Sequence, residues 1–207
     1  MFIAELAILI YSVILHEIAH GFVADRLGDP TARLNKRLTL SPLPHIDLFM
    51  TILLPVFLLL SHSPILFGGA KPVPIDPFNF RDIKKDTAIT ALAGPATNIL
   101  IAVFFAFLIR LSPLVVLNDT ILSTLIQIFT SAVILNVSLA VFNLLPIPPL
   151  DGSKVLAGIL PDEIATEMYK LERFGPIIIL GLLFFLPGLI FGLIGPIISN
   201  LSNLLLR

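Results

Sequence analysis

Residues 2–24 read FIAELAILIYSVILHEIAHGFVA, an apolar stretch in which the only groups titrating near or below neutral pH are Glu5, His16, Glu17 and His20. A membrane-spanning helix needs roughly 20 predominantly apolar residues, so this segment is expected to be a helix that crosses a bilayer. Residues four apart share one helix face, which sets the imidazoles of His16 and His20 side by side. At that separation both reach a single zinc ion with bonds of about 2.0–2.1 Å. Ionisable groups near the centre of a span cost at least about 2.5–3.5 kcal/mol on insertion scales, and they mark function by default. The same five letters in a soluble chain would carry less weight, because short motifs recur by chance.

The composition extends this reading to the whole chain. Its 207 residues are 57% hydrophobic and 13% charged, with a mean hydropathy of +1.01, against about 25% charged in a typical soluble domain. The expected class is an all-α polytopic membrane protein, with residues 1–207 forming a single membrane-embedded domain. A formal net charge of −1 and the lack of a long basic run give no reason to expect nucleic acid as a partner. Cysteine is absent, which excludes disulfides, thiolate metal ligands and a cysteine nucleophile. His, Asp and Glu are left to carry any metal chemistry. The opening MFIAEL has no basic region and no small-residue cleavage site, so a cleaved signal peptide is not expected.

Further along, Gly28-Asp29-Pro30 is a turn signal, and a weak alternation over 33–40 suggests a short β-like segment at the membrane surface. The apolar run 46–60 contains Pro55 and, at 15 residues, is short for a crossing. It reads either as a kinked span or as a re-entrant segment. The loops on its two sides carry four Lys or Arg each, so a re-entrant course would put both on the cytoplasmic side and a crossing would separate them. Residues 87–111 and 121–145 are long enough to span. A proline-rich break follows, then an amphipathic connector at 161–174 and a last span over 175–194 with a kink at Pro187-Gly188. The total is about five to six membrane segments.

A catalytic zinc site uses three protein ligands and keeps one position open. Asp151, in NLLPIPPLDG at 143–152, is the best third candidate, because an unpaired carboxylate beside a span is costly and a cation stabilises it. The alternative role is N-cap of a helix beginning near Gly152; the need for a third ligand favours the metal. Glu17 is placed to take a proton from water activated by the metal, as in the HExxH metalloproteases. Asn143 offers an amide that can donate to a substrate carbonyl or a developing oxyanion. Asn98, in AGPATN, is a second such amide, for which a packing role between helices is the favoured reading on physical grounds alone. His45 and Asp47 read first as simple interfacial residues, with ordering of the loop or a hydrogen bond to a metal ligand as competing roles, and His62 as an interfacial residue without a special task.

Taken together, HEIAH at 16–20, LGDPTA at 27–32, RLTLSP at 37–42, AKPVP at 70–74, AGPATN at 93–98 and NLLPIPPLDG at 143–152 resemble the site-2 protease family of intramembrane zinc metalloproteases. The likeness is to the compact prokaryotic members that lack PDZ or CBS domains. It implies one zinc per chain held by His16, His20 and Asp151, with Glu17 as general base. It also implies Asn143 and Asn98 near the substrate or oxyanion, and a substrate that is a transmembrane segment of another protein in the cell membrane. The chain departs from the usual family pattern at Lys36 and Ser41, neither of which is a proposed ligand. The competing class is a membrane protein that binds or transports metal through the same His/His/Asp set, for which Glu17 would have no task.

Overall fold

A bilayer core offers no water to the backbone, so a chain this apolar must satisfy its peptide groups internally, and helices do so within each segment. The computed structural model describes residues 2–61, 68–114 and 118–207, and every regular element among them is helical. His62 lies outside the described residues. The elements are α1 (Phe2–Leu27), α2 (Thr31–Leu34), α3 (Leu54–Leu60), α4 (Ile83–Leu111), α5 (Asp119–Asn143), α6 (Asp151–Ala157), α7 (Asp162–Glu172), α8 (Gly175–Phe185) and α9 (Pro187–Leu206). Four are long and apolar enough to cross a membrane: α1, α4, α5 and α9. Two shorter apolar stretches, Leu48–Leu58 and Gly175–Phe185, accompany them.

α4 lies between α1 and α5. Lipid tails are as apolar as leucine, so helices in a bilayer associate through close packing and shared hydrogen bonds, and small residues let the backbones approach. Ala91, Ala102 and Ala106 of α4 and Ala132, Val133, Val137 and Ala140 of α5 are buried accordingly, whereas Leu100, Phe104 and Phe107 face outward. The helix starts four residues before the expected Thr87, because Asp82 caps it. The Asp82 carboxylate accepts from the Lys85 N–H at 3.0 Å, and the Asp82 N–H donates back to Asp86 at 3.2 Å.

The segment 33–40 is not a strand. Residues 31–34 make the short helix α2, and the following residues pair with no strand among the described residues. In the 46–60 run, a π-helical stretch at Leu48–Leu53 is capped by Asp47, which accepts from the N–H groups of Phe49 and Met50, and leads into α3. The two flanks of this excursion meet. The Lys71 N–H donates to the His45 carbonyl at 2.8 Å, the Gly69 N–H to Met50 at 3.1 Å, and the Thr51 hydroxyl to Gly69 at 2.6 Å. These bonds join the start of the run to the residues that follow it. His45 and Asp47 order this loop, a role the sequence ranks below a simple interfacial one, with His45 Nε2 donating to the Thr39 carbonyl at 2.9 Å.

The expected last span, 175–194, is two helices. α8 ends at Phe185, Leu186 leaves the helical region at φ −132° and ψ 43°, and Pro187 starts α9. A proline lacks the N–H that would continue the first helix and suits the first turn of a new one. The kink was therefore legible, but its size was not. Ile179 and Leu183 of α8, together with Ile190 and Ile194 of α9, join the core formed by α4 and α5.

Candidate metal centre

α1 carries His16, Glu17 and His20 into the buried interior, and the α5–α6 connection brings Asp151 to them. That connection cannot be a helix: Pro146, Pro148 and Pro149 interrupt it, and the Pro148–Pro149 bond is cis. α6 then starts at Asp151, with Leu150 as its N-cap and no side-chain cap, so Asp151 does not serve as the cap. A Cβ on Gly152 would overlap the Leu144 carbonyl. The turn thus closes tightly enough to direct Asp151 at α1.

Three donor atoms converge there. His16 Nε2 and His20 Nε2 lie 3.1 Å apart, and Asp151 Oδ2 is 3.1 Å from the first and 3.2 Å from the second. The tautomers follow from the other ring nitrogens. His16 Nδ1 is 2.6 Å from Asn98 Oδ1, and His20 Nδ1 is 2.7 Å from the Thr90 carbonyl. Both partners are acceptors, so each Nδ1 carries the hydrogen, and a neutral imidazole has only one. The two Nε2 lone pairs therefore point at each other and at a carboxylate oxygen that is buried without a hydrogen-bond partner. Three acceptors this close repel one another unless a cation sits among them. Tetrahedral zinc with bonds of about 2.0–2.1 Å separates its ligand atoms by about 3.3 Å, so the observed spacing fits such an ion and leaves a fourth position.

Asn98 takes the helix-to-helix role rather than a place against substrate. It is fully buried behind His16 and does not border the cavity. Its Nδ2 donates to Asn136 Oδ1 at 3.0 Å, and Asn136 Nδ2 donates to the Ala132 carbonyl at 2.9 Å. This chain of amides turns the Asn98 oxygen toward His16 and fixes its ring, as outer partners of metal-binding histidines commonly do. Asn143 does line the cavity, with one N–H given to the Leu139 carbonyl at 2.9 Å.

The cavity, about 550 Å³, is lined by His16, Glu17, His20, Asn143 and Asp151 and roofed by the 72–80 loop. One Glu17 oxygen accepts from the Val73 N–H at 2.8 Å, so the loop also orients the carboxylate. Asp29 anchors that loop from below, accepting from Asp76 N–H and Asn79 Nδ2, each at 2.8 Å, and from the Thr31 N–H and hydroxyl. Burial alone would raise the Asp29 pKa, but these donors hold it below the usual carboxylate value.

Residue-by-residue reading of the sequence missed the Thr90 carbonyl, Asn136, the Val73 N–H and Gly94. Gly94 was visible only as part of AGPATN. A Cβ there would overlap His20 Nε2 and come within 2.6 Å of His16 Cε1 and Nε2, so α4 reaches both rings because this position has no side chain. Gly94→Ala is expected to weaken zinc binding about 10–100-fold, the cost typical of disturbing a metal ligand's support. Gly181→Ala, where an added Cβ meets nothing within 4 Å, is expected to change nothing. Competition with a calibrated chelator checks both, and wild-type affinity in Gly94→Ala would contradict the packing argument.

Comparison with known proteins agrees with this geometry. The profile of Peptidase family M50 matches residues 111–186, a segment that contains Asn143 and Asp151. The chain is 35% identical over 174 residues, 83% of its length and 76% of the relative's, to "Putative zinc metalloprotease YwhC" of Bacillus subtilis (strain 168). It is 30% identical over 187 residues, 88% of its length and 67% of the relative's, to "Putative zinc metalloprotease Rip2" of Mycolicibacterium smegmatis. No solved structure matches it. The fold and the relatives together define a metalloprotease of helical membrane architecture. The chain belongs to Peptidase family M50, the site-2 protease family that its motifs resemble.

Proposed function

We propose that this protein is an intramembrane zinc metalloprotease that hydrolyses peptide bonds within or next to transmembrane segments of other membrane proteins, acting in the prokaryotic cell membrane as one membrane-embedded domain. His16, His20 and Asp151 hold one zinc per chain. Zinc at these ligands supplies Lewis acidity, polarising the scissile carbonyl and lowering the pKa of water to about 7. Glu17 accepts the proton of the attacking water and passes it to the leaving amine. Its link to the Val73 N–H keeps one carboxylate oxygen fixed, so the other is the one that takes the proton. Asn143 donates to the oxyanion that forms on the substrate carbonyl. The Asn98–Asn136 pair and the Thr90 carbonyl hold the two imidazoles in the tautomer that binds metal.

One observation carries this reading: three mutually facing acceptor atoms border the same cavity as a carboxylate that is not among them. A site for metal passage needs the three but not Glu17. The test is metal analysis of the purified protein alongside cleavage of single-span membrane proteins in vesicles. Close to one zinc per chain is expected, with cleavage lost on chelation and restored by zinc. A folded protein that takes up no zinc when it is resupplied would overturn the proposal.

A further inference from the structure

Seven buried side-chain polar atoms among the described residues find no hydrogen-bond partner within the protein, and four of them, Asp151 Oδ2, Thr87 Oγ1, Thr90 Oγ1 and Tyr169 Oη, belong to residues that line the cavity at the metal centre. The proposed metal site accounts for Asp151. It does not account for the three hydroxyls. A buried hydroxyl without a partner is costly, and a helical Ser or Thr has an easy remedy, which is to turn back onto the carbonyl three or four residues earlier. Thr124, Ser138 and Thr166 all do this, at 2.7–2.8 Å. Thr87 and Thr90 do not, although the helix of α4 is available to both. They sit three residues apart on the α4 face that continues to Gly94, against the metal ligands. Tyr169 reaches the same cavity from α7. Burial, followed by the Glu172 charge, pushes its phenol above the ordinary value, so it keeps its proton and remains a donor.

Apart from Asn143 and the Lys154–Glu172 ion pair, the remaining wall is largely apolar, formed by Val73, Ile75, Phe80, Ile83, Ala91 and Leu150. A transmembrane substrate arrives as a helix, with each carbonyl tied to the N–H four residues on. Attack on one carbonyl requires that turn to open, and the freed peptide groups then need partners in a place that offers few. We propose that Thr87, Thr90 and Tyr169 form a hydroxyl ledge that binds the opened backbone of the substrate beside the metal ligands. The ledge holds the unwound segment independently of its side chains. Its residues are positioning residues, and the proposal rests on the metalloprotease reading.

The test needs no known substrate. Two probes are titrated into zinc-loaded protein in detergent: acetohydroxamic acid, which engages the metal alone, and a hydroxamate carrying an apolar tripeptide, which also places peptide groups along the cavity. Thr90→Val, Thr87→Val and Tyr169→Phe are each expected to weaken the peptidyl probe about three- to tenfold, the worth of one neutral hydrogen bond. Acetohydroxamic acid affinity and zinc content should stay at wild-type values in Thr87→Val and Tyr169→Phe, and Thr90→Ser should keep the peptidyl affinity. Unchanged peptidyl affinity in all three variants would show that the hydroxyls merely hydrate the cavity, and would overturn the ledge. Parallel weakening of both probes would overturn it too, by showing that the substitutions disturb the metal ligands. If neither probe binds the wild type, the metalloprotease reading fails and takes this inference with it.

Discussion

Asp151→Ala is expected to bind zinc at least about a hundredfold more weakly than the wild type, beyond the 10–100-fold lost when only an outer partner of a ligand is removed. The variant should nevertheless fold. Asp151 lies at the first position of α6 without capping it, and its Oδ2 is buried with no hydrogen-bond donor. Without metal, a proton taken up by His16 or His20 is the only partner for that carboxylate, at 3.1 and 3.2 Å. Its removal should therefore cost the metal-free protein far less than it costs zinc affinity, and the separation of the two effects is what makes the substitution informative. Thermal unfolding with and without zinc measures it. A ligand that binds the folded state alone stabilises it by RT ln(1 + [L]/Kd), about 2.7 kcal/mol at one hundred times Kd, so the wild-type midpoint should rise with zinc and that of the variant should not. An equal rise in both would remove Asp151 from the ligand set.

Part of the centre was legible because a helix translates sequence spacing directly into geometry. His16 and His20 had to share a face once residues 2–24 were read as a span, and Glu17 had to lie one step round. Asp151 was reached by a different route, from the number of ligands zinc needs and from the cost of a carboxylate in that position. No local pattern says that the α5–α6 turn aims it at α1. That depends on the proline-broken backbone and on Gly152 packing against Leu144. Asn98 shows the limit of reading by residue type. An amide at membrane depth suits an oxyanion, a helix contact or a histidine ring equally well. The choice is made by Asn136, 38 residues away in sequence, whose oxygen takes the Asn98 N–H.

The membrane segments divide along the same line. Long apolar runs bounded by polar turns named α1, α4 and α5 to within a few residues, because length and hydropathy are local. Alternation over 33–40 misled, since a polar loop tied down by Asp29, Arg37 and His45 needs no period of its own. Arg37 donates to the Lys71 carbonyl at 2.8 Å, one of several bonds that give this loop its shape from outside. The course of 46–60 was open in the sequence for a related reason. A short apolar run is compatible with crossing or returning, and the bonds that fix its shape, Lys71 with His45 and Gly69 with Met50, join residues about 20 or more positions apart that no local pattern pairs.

Glu17→Gln is expected to slow peptide-bond hydrolysis about 10²–10⁴-fold, the usual range for a general base, while zinc content stays at the wild-type level. Glutamine is the right replacement because its amide oxygen can still accept from the Val73 N–H, the bond that now holds Glu17 at 2.8 Å. The loop over the cavity then keeps its anchor, and what changes is basicity. Alanine would confound the two, since it frees the loop as well. The measurement is cleavage of a single-span membrane protein in vesicles by each form, with metal content determined on the same preparations. It also separates the two classes that share the His/His/Asp set. A protein that only binds or passes metal has no use for a base, so the substitution would leave its handling of zinc intact and there would be no hydrolysis to lose. If the wild type cleaves and Glu17→Gln cleaves equally fast, water is activated without this residue. If the variant loses zinc along with activity, Glu17 belongs to the metal's own support. Retained zinc with lost cleavage leaves proton transfer as the task of Glu17, since neither the donor triangle nor the loop contact has been altered.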